Sequence, residues 1–71
     1  MIANNVIMNK LKLIKRAAVD SRQLDNIKIG DFIADEFGKS GKVLGIEKIF
    51  RQKQSFYYFY LNQSKTIMFI V

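Results

Sequence analysis

From Ile27 to Val71, β-branched and aromatic residues recur with a period of two, in runs broken by short polar stretches, and no proline interrupts them. Successive side chains of an extended chain point to opposite faces, so this pattern specifies strands with one buried side. Four strands are expected, at residues 27–36 (IKIGDFIADE), 42–51 (KVLGIEKIFR), 55–61 (SFYYFYL) and 66–71 (TIMFIV). The connections are short enough for hairpins, which makes the strands an antiparallel meander. Gly38 and Gly41 frame the first turn, which needs a positive φ. Gly45 falls in the middle of the second strand and predicts a bulge, across which Val43 and Ile46 both turn inward.

The first part of the chain has a different period. On a helical wheel Ile7, Leu11, Ile14 and Ala18 share one stripe, widened by Val6, Leu13 and Ala17, while Asn5, Asn9, Lys12 and Arg16 lie opposite. The spacing predicts an amphipathic helix over residues 4–19, capped by Asn4 or Asn5 and ending near Asp20 and Ser21. A competing reading takes NKLKLIK as a strand, because Leu11 and Leu13 alternate with lysines. The longer helical match is preferred.

The stretch IKIGDFIADEFGKSGKVLGIEKI, residues 27–49, resembles the opening of SH3-like barrels of the KOW kind, with Ile29-Gly30-Asp31 and Gly41-Lys42-Val43 as its best-matching residues. The resemblance implies a small barrel, but the first turn is shorter than usual and a fifth strand is missing. Either the N-terminal segment supplies that strand, or the sheet stays open and pairs with another copy. The expected fold is therefore α+β and mainly β. An N-terminal amphipathic helix precedes a four-stranded antiparallel meander that forms a small, SH3-like, partly closed barrel, all within a single domain at 1–71.

Seventy-one residues bury only about 60% of their unfolded surface, so the core is thin. Disulfides, metal sites or self-association commonly compensate for this. With neither Cys nor His in the chain, a cofactor or metal is not expected, and self-association gains weight. The same absences remove the usual general base and the thiol nucleophile, so the chain is not expected to be an enzyme. FGKSGK resembles a phosphate-binding loop only superficially, since it leads into a strand and no helix follows to receive phosphate. No apolar run approaches the roughly 20 residues of a membrane-spanning helix, and the N-terminus lacks the order of charges of a secretion signal. A cytoplasmic location is expected. Membrane contact through KLKLIKR is the least favoured reading, since its apolar stripe is better spent on the core.

Two features carry the functional expectation. One is charge: nine Lys and three Arg against six acids give +6, which favours anionic partners. The other is Phe56-Tyr57-Tyr58-Phe59-Tyr60, five aromatics in a row. Alternation sends Tyr57, Phe59 and Leu61 to the core and Phe56, Tyr58 and Tyr60 to the other face, which the helix, a second subunit or a ligand must cover. Lys42, Lys48, Arg51 and Lys53 lie near that run and, with Tyr58 and Tyr60, form the candidate binding set. Lys12, Lys15 and Arg16 form a secondary basic face. Lysines beside tyrosines suit phosphate contacts combined with base stacking. A non-catalytic nucleic-acid-binding module of low sequence specificity, taking single-stranded DNA or RNA, is the first expectation. The alternative is a protein-binding adaptor or inhibitor acting on a larger host protein, of the takeover or counter-defence type. By analogy, such tiny and catalytically empty proteins are typical of phages and mobile elements. The terminal strand TIMFIV offers an edge for β-augmentation or a homodimer.

Overall fold

A computed structural model describes residues 11–71. Five strands form one mixed sheet in the order β1-β2-β3-β4-β5. They are β1 (Leu11–Ile14), β2 (Phe32–Asp35), β3 (Ser40–Arg51), β4 (Gln54–Leu61) and β5 (Lys65–Ile70), with one short helix, α1 (Ser21–Asp25), between β1 and β2. β1 runs parallel to β2, and every later pair is antiparallel. β1 and β5 are the two edges, so the sheet is not closed by a backbone ladder.

The N-terminal half corrects the sequence expectation. Residues 11–14 are a strand, and a turn follows at Arg16–Ala18, so the expected helix over 4–19 is absent from its described part; residues 4–10 lie outside the described residues. Leu11 and Leu13 are half-exposed, while Ile14 is fully buried and Lys12 reaches the carboxylate of Asp31 at 2.8 Å. Of the NKLKLIK stretch, Leu11–Ile14 follow the period-two reading, although it is Ile14 that enters the core. Pairing with β2 satisfies the backbone of Leu11–Ile14 in a way that a wheel cannot foresee. Parallel pairing needs a crossover, which residues 15–31 supply through α1. Asp20, expected near a helix end, instead starts one: its Oδ1 accepts the Gln23 N–H at 2.9 Å. The basic membrane-contact helix goes with the correction, and no described helix is long and apolar enough to cross a membrane.

The C-terminal half follows the expected alternation with shifted bounds. Residues 27–36 shorten to Phe32–Asp35, because Lys28–Asp31 form a tight turn in which Gly30 takes φ +99°. The hairpin connections β3–β4 and β4–β5 turn at Gln52-Lys53 and Gln63-Ser64, with positive φ at all four residues. The register of β3 against β4 shifts between Val43 and Gly45, the expected bulge. It puts Val43 opposite Leu61 and Ile46 opposite Phe59, so both turn to the core side, where Val43 is buried and Ile46 only partly covered. Residues 40–42 of β3 pair with β2, and from Val43 across the bulge to Arg51 β3 pairs with β4, so this one strand bends the sheet around its core. The fold is thus a curled five-stranded mixed sheet with one short helix, not an N-terminal helix followed by a four-stranded antiparallel meander in a partly closed barrel.

The core lies on the concave side. Ile14, Leu24, Ile27, Ile33, Val43, Tyr57, Phe59, Leu61, Ile67 and Phe69 form one buried cluster, flanked by Val19 and Val71. Tyr57 and Phe59 stack at 6.2 Å, and Phe69 meets Phe59 edge-on at 6.1 Å. Gly41 permits close approach of β3 to the end of β4: a Cβ there would lie 2.5 Å from Asn62 Oδ1 and 3.1 Å from Leu61 Cβ.

Candidate interaction surface

β4 places its aromatics as the alternation requires. Tyr57 and Phe59 are buried, and Phe56, Tyr58 and Tyr60 point to the convex face. Residues opposite one another across antiparallel strands share a face, so the register assembles three rungs. Ile49, Phe56 and Ile70 form one, Glu47, Tyr58 and Met68 the next, and Gly45, Tyr60 and Thr66 the third. Ile49, Tyr60, Met68 and Ile70 are each 37–45% exposed, which leaves a continuous apolar and aromatic patch on β3, β4 and β5. The Tyr58 and Tyr60 rings lie nearly parallel, 6.5 Å apart and 11° from coplanar. Tyr60 donates its hydroxyl proton to Glu47 Oε1 at 2.6 Å, and that carboxylate raises the phenol above its ordinary value of 10.0. The patch therefore carries a carboxylate on its β3 side, in the middle rung.

The basic candidates separate into two sets. Lys12, Arg16 and Lys48 are engaged in ion pairs. Lys48 pairs with Asp25 at 3.2 Å and sits 4.9 Å from the Tyr57 ring centroid, on the core-side face of β3. Tyr57 donates to the same Asp25 oxygen at 2.7 Å, and hydrogen bonds from Tyr57 and then Lys48 lower the Asp25 pKa. This trio fastens α1 to β4. Arg16 holds Asp35 at 3.1 Å and Glu36 at 3.0 Å, donates to the Met68 carbonyl at 3.1 Å and lies over the Phe69 ring at 4.8 Å. Arg16 and Lys12 thus serve the fold, and the secondary basic face reduces to Lys15, which is exposed in the turn after β1.

Lys15, Lys42, Arg51 and Lys53 are exposed and form no ion pair among the described residues. Strand parity puts Lys42 and Arg51 on the convex side with Tyr58 and Tyr60, with Arg51 at the hairpin end and Lys42 beyond the bulge. Lys53 is at the tip of the β3–β4 turn. The structure therefore brings Tyr58 and Tyr60 together, puts Arg51 on the same face but at its hairpin end, and sends Lys48 to the opposite face. Sequence reasoning missed Glu47, Ile49, Met68 and Ile70 as members of the convex face. Alternation in TIMFIV, taken from a buried Phe69, would have found the last two.

The edge of β5 is not open. Ser55 and Val71 exchange both backbone hydrogen bonds at 2.9 Å. Because such pairs alternate along an antiparallel ladder, Thr66, Met68 and Ile70 direct their N–H and C=O groups away from β4. Lys39 Nζ donates to the Thr66 carbonyl at 3.0 Å, and Arg16 takes the Met68 carbonyl. Lys65 Nζ in turn donates to the Ser40 carbonyl. Three cations thus span the gap between β5 and the far side of the curled sheet. No family model matches this chain, and no curated protein or solved structure matches it.

Proposed function

We propose that this chain is a non-catalytic protein-binding module that docks onto a larger protein through the convex face of β3, β4 and β5. The observation that carries the reading is the patch of exposed Ile49, Tyr60, Met68 and Ile70 around half-buried Phe56 and Tyr58, three rungs wide across three strands. Contiguous exposed apolar surface of this kind marks interaction sites. Tyr, Phe and Met are enriched where proteins meet, and such residues anchor interfaces when a partner excludes water from them. The rigid sheet presents these side chains with little further ordering, which favours binding. Arg51 and Lys53 at the hairpin end and Lys42 beyond the bulge give the patch a cationic rim, suited to a partner with carboxylates around an apolar centre.

A second reading, binding of single-stranded nucleic acid, is favoured by the parallel Tyr58 and Tyr60 rings with Arg51 on the same face. It is weakened by the Glu47 carboxylate bound to Tyr60, and by the commitment of Lys12, Arg16 and Lys48 to internal ion pairs. One experiment separates the two. Affinity capture with the wild type is compared with a Tyr58→Ser/Met68→Ser variant, with and without nuclease, alongside fluorescence anisotropy on random single-stranded oligonucleotides. Protein capture that survives nuclease and is lost in the variant supports docking. Salt-sensitive oligonucleotide binding, lost in the same variant, supports the second reading instead. Capture that is unchanged by the variant removes the convex face from both.

A further inference from the structure

The edge of β5 is closed by side chains where a ladder would close a barrel. Of the groups that Thr66, Met68 and Ile70 turn outward, the carbonyls of Thr66 and Met68 are taken by Lys39 and Arg16. Both cations are themselves held in place. Arg16 is fixed by Asp35 and Glu36, and Lys39 follows a turn whose backbone N–H groups at Phe37 and Lys39 are held by Asp35, each at 3.0 Å. Lys65 fastens the same seam from the other side, onto Ser40.

We propose that Arg16 and Lys39 guard a latent pairing edge, and that withdrawing them joins two copies of this chain through antiparallel β5 strands. The register argues for a second copy as the occupant. Placing Met68 opposite the second copy's Met68 sets Thr66 opposite Ile70 and Ile67 opposite Phe69. The three residues whose backbone groups face outward are then those that exchange ladder bonds in such a pair. Buried Ile67 and Phe69 stay on the concave side of both sheets, and the Tyr58–Met68 rung continues across the two-fold axis. Exposed edges invite such pairing, and charged side chains laid over them are a recognised defence. The +6 charge of each copy opposes association, so the paired state gains from salt, opposite to a contact held by charge attraction.

The test compares wild type with Lys39→Met, Arg16→Met and the double variant, by sedimentation velocity across protein concentration and by amide hydrogen exchange. Each substitution spares one charge-assisted hydrogen bond per copy, two per dimer, which lowers the dimer dissociation constant about a hundred- to ten-thousandfold. The double variant is expected to dimerise, more strongly with added salt, with new protection at the Thr66, Met68 and Ile70 amides. Folded variants that stay monomeric, or that dimerise without that protection, overturn the proposal. Arg16→Met also strips a partner from Asp35, so if it does not fold, Lys39→Met decides alone. A labelled TIMFIV peptide gives an independent readout: uptake by Lys39→Met but not by wild type supports the guard, and equal uptake or none by both refutes it.

Discussion

Asp35 is the most exacting place to test how this sheet is held in its curl. It is 4% exposed and makes three contacts through two oxygens. Oδ1 accepts the N–H groups of Phe37 and Lys39, and Oδ2 accepts from Arg16 Nη1 at 3.1 Å. Burial opposes its ionisation and is the largest single influence, but the Lys39 N–H, Arg16 and the Phe37 N–H together outweigh it and lower the pKa below 3.8. Asp35→Asn can keep the two turn bonds while its amide nitrogen turns toward Arg16, so the substitution isolates the ion pair. Stripping one partner from a fully buried pair costs about 3–5 kcal/mol. Arg16 is 35% exposed and retains Glu36, which reduces the expectation to about 1.5–3 kcal/mol. Asp35→Ala removes all three acceptor contacts and should cost about 3–5 kcal/mol, a large part of the roughly 4–10 kcal/mol expected of a domain this size. Urea unfolding measures both. A carboxylate whose folded pKa is lowered contributes stability that is present above its unfolded value of 3.8 and lost as pH falls through the folded value. Asp35→Asn should therefore flatten the acid limb of stability in that window. A loss below about 0.5 kcal/mol, with the wild-type acid limb intact, would refute the ion pair as a structural tie.

Other perturbations read the remaining parts of the structure. Phe59→Ala empties the centre of the core and should cost about 3–5 kcal/mol, whereas Met68→Ala on the convex face should cost less than about 1 kcal/mol while reducing partner capture; thermal unfolding and affinity capture together check the pair. Gln52→Asn with Lys53→Gly places the preferred residues where φ is +53° and +66°, and should raise stability by about 1–2 kcal/mol in urea titration. Gly41→Ala drives a methyl against Asn62 Oδ1, the acceptor for the Lys42 N–H, and should lower the thermal midpoint by about 4–24 °C, corresponding to about 1–3 kcal/mol.

The amino-acid order by itself settled what depends on neighbours in sequence. The faces of Phe56 to Leu61, the bulge at Gly45, the positive φ at Gly38 and the polar turns all follow from a period-two pattern and from glycine's freedom at single positions. Half of the candidate surface was legible in this way, since Tyr58 and Tyr60 lie together on the convex side because no bulge interrupts the alternation of β4. Tertiary structure decided the state of Leu11–Ile14, where a wheel and a strand pattern competed and the ladder offered by β2 prevailed. It also decided which cations are free. Lys12 meets Asp31 across 19 residues, Lys48 meets Asp25 across 23, and Arg16 reaches Met68 across 52. Charge is a property of composition, but its availability to a partner is a property of distance in space. Pairing of β1 with β2 brings Lys12 to Asp31, the docking of α1 brings Asp25 to Lys48, and the curl of the sheet brings Arg16 to Met68.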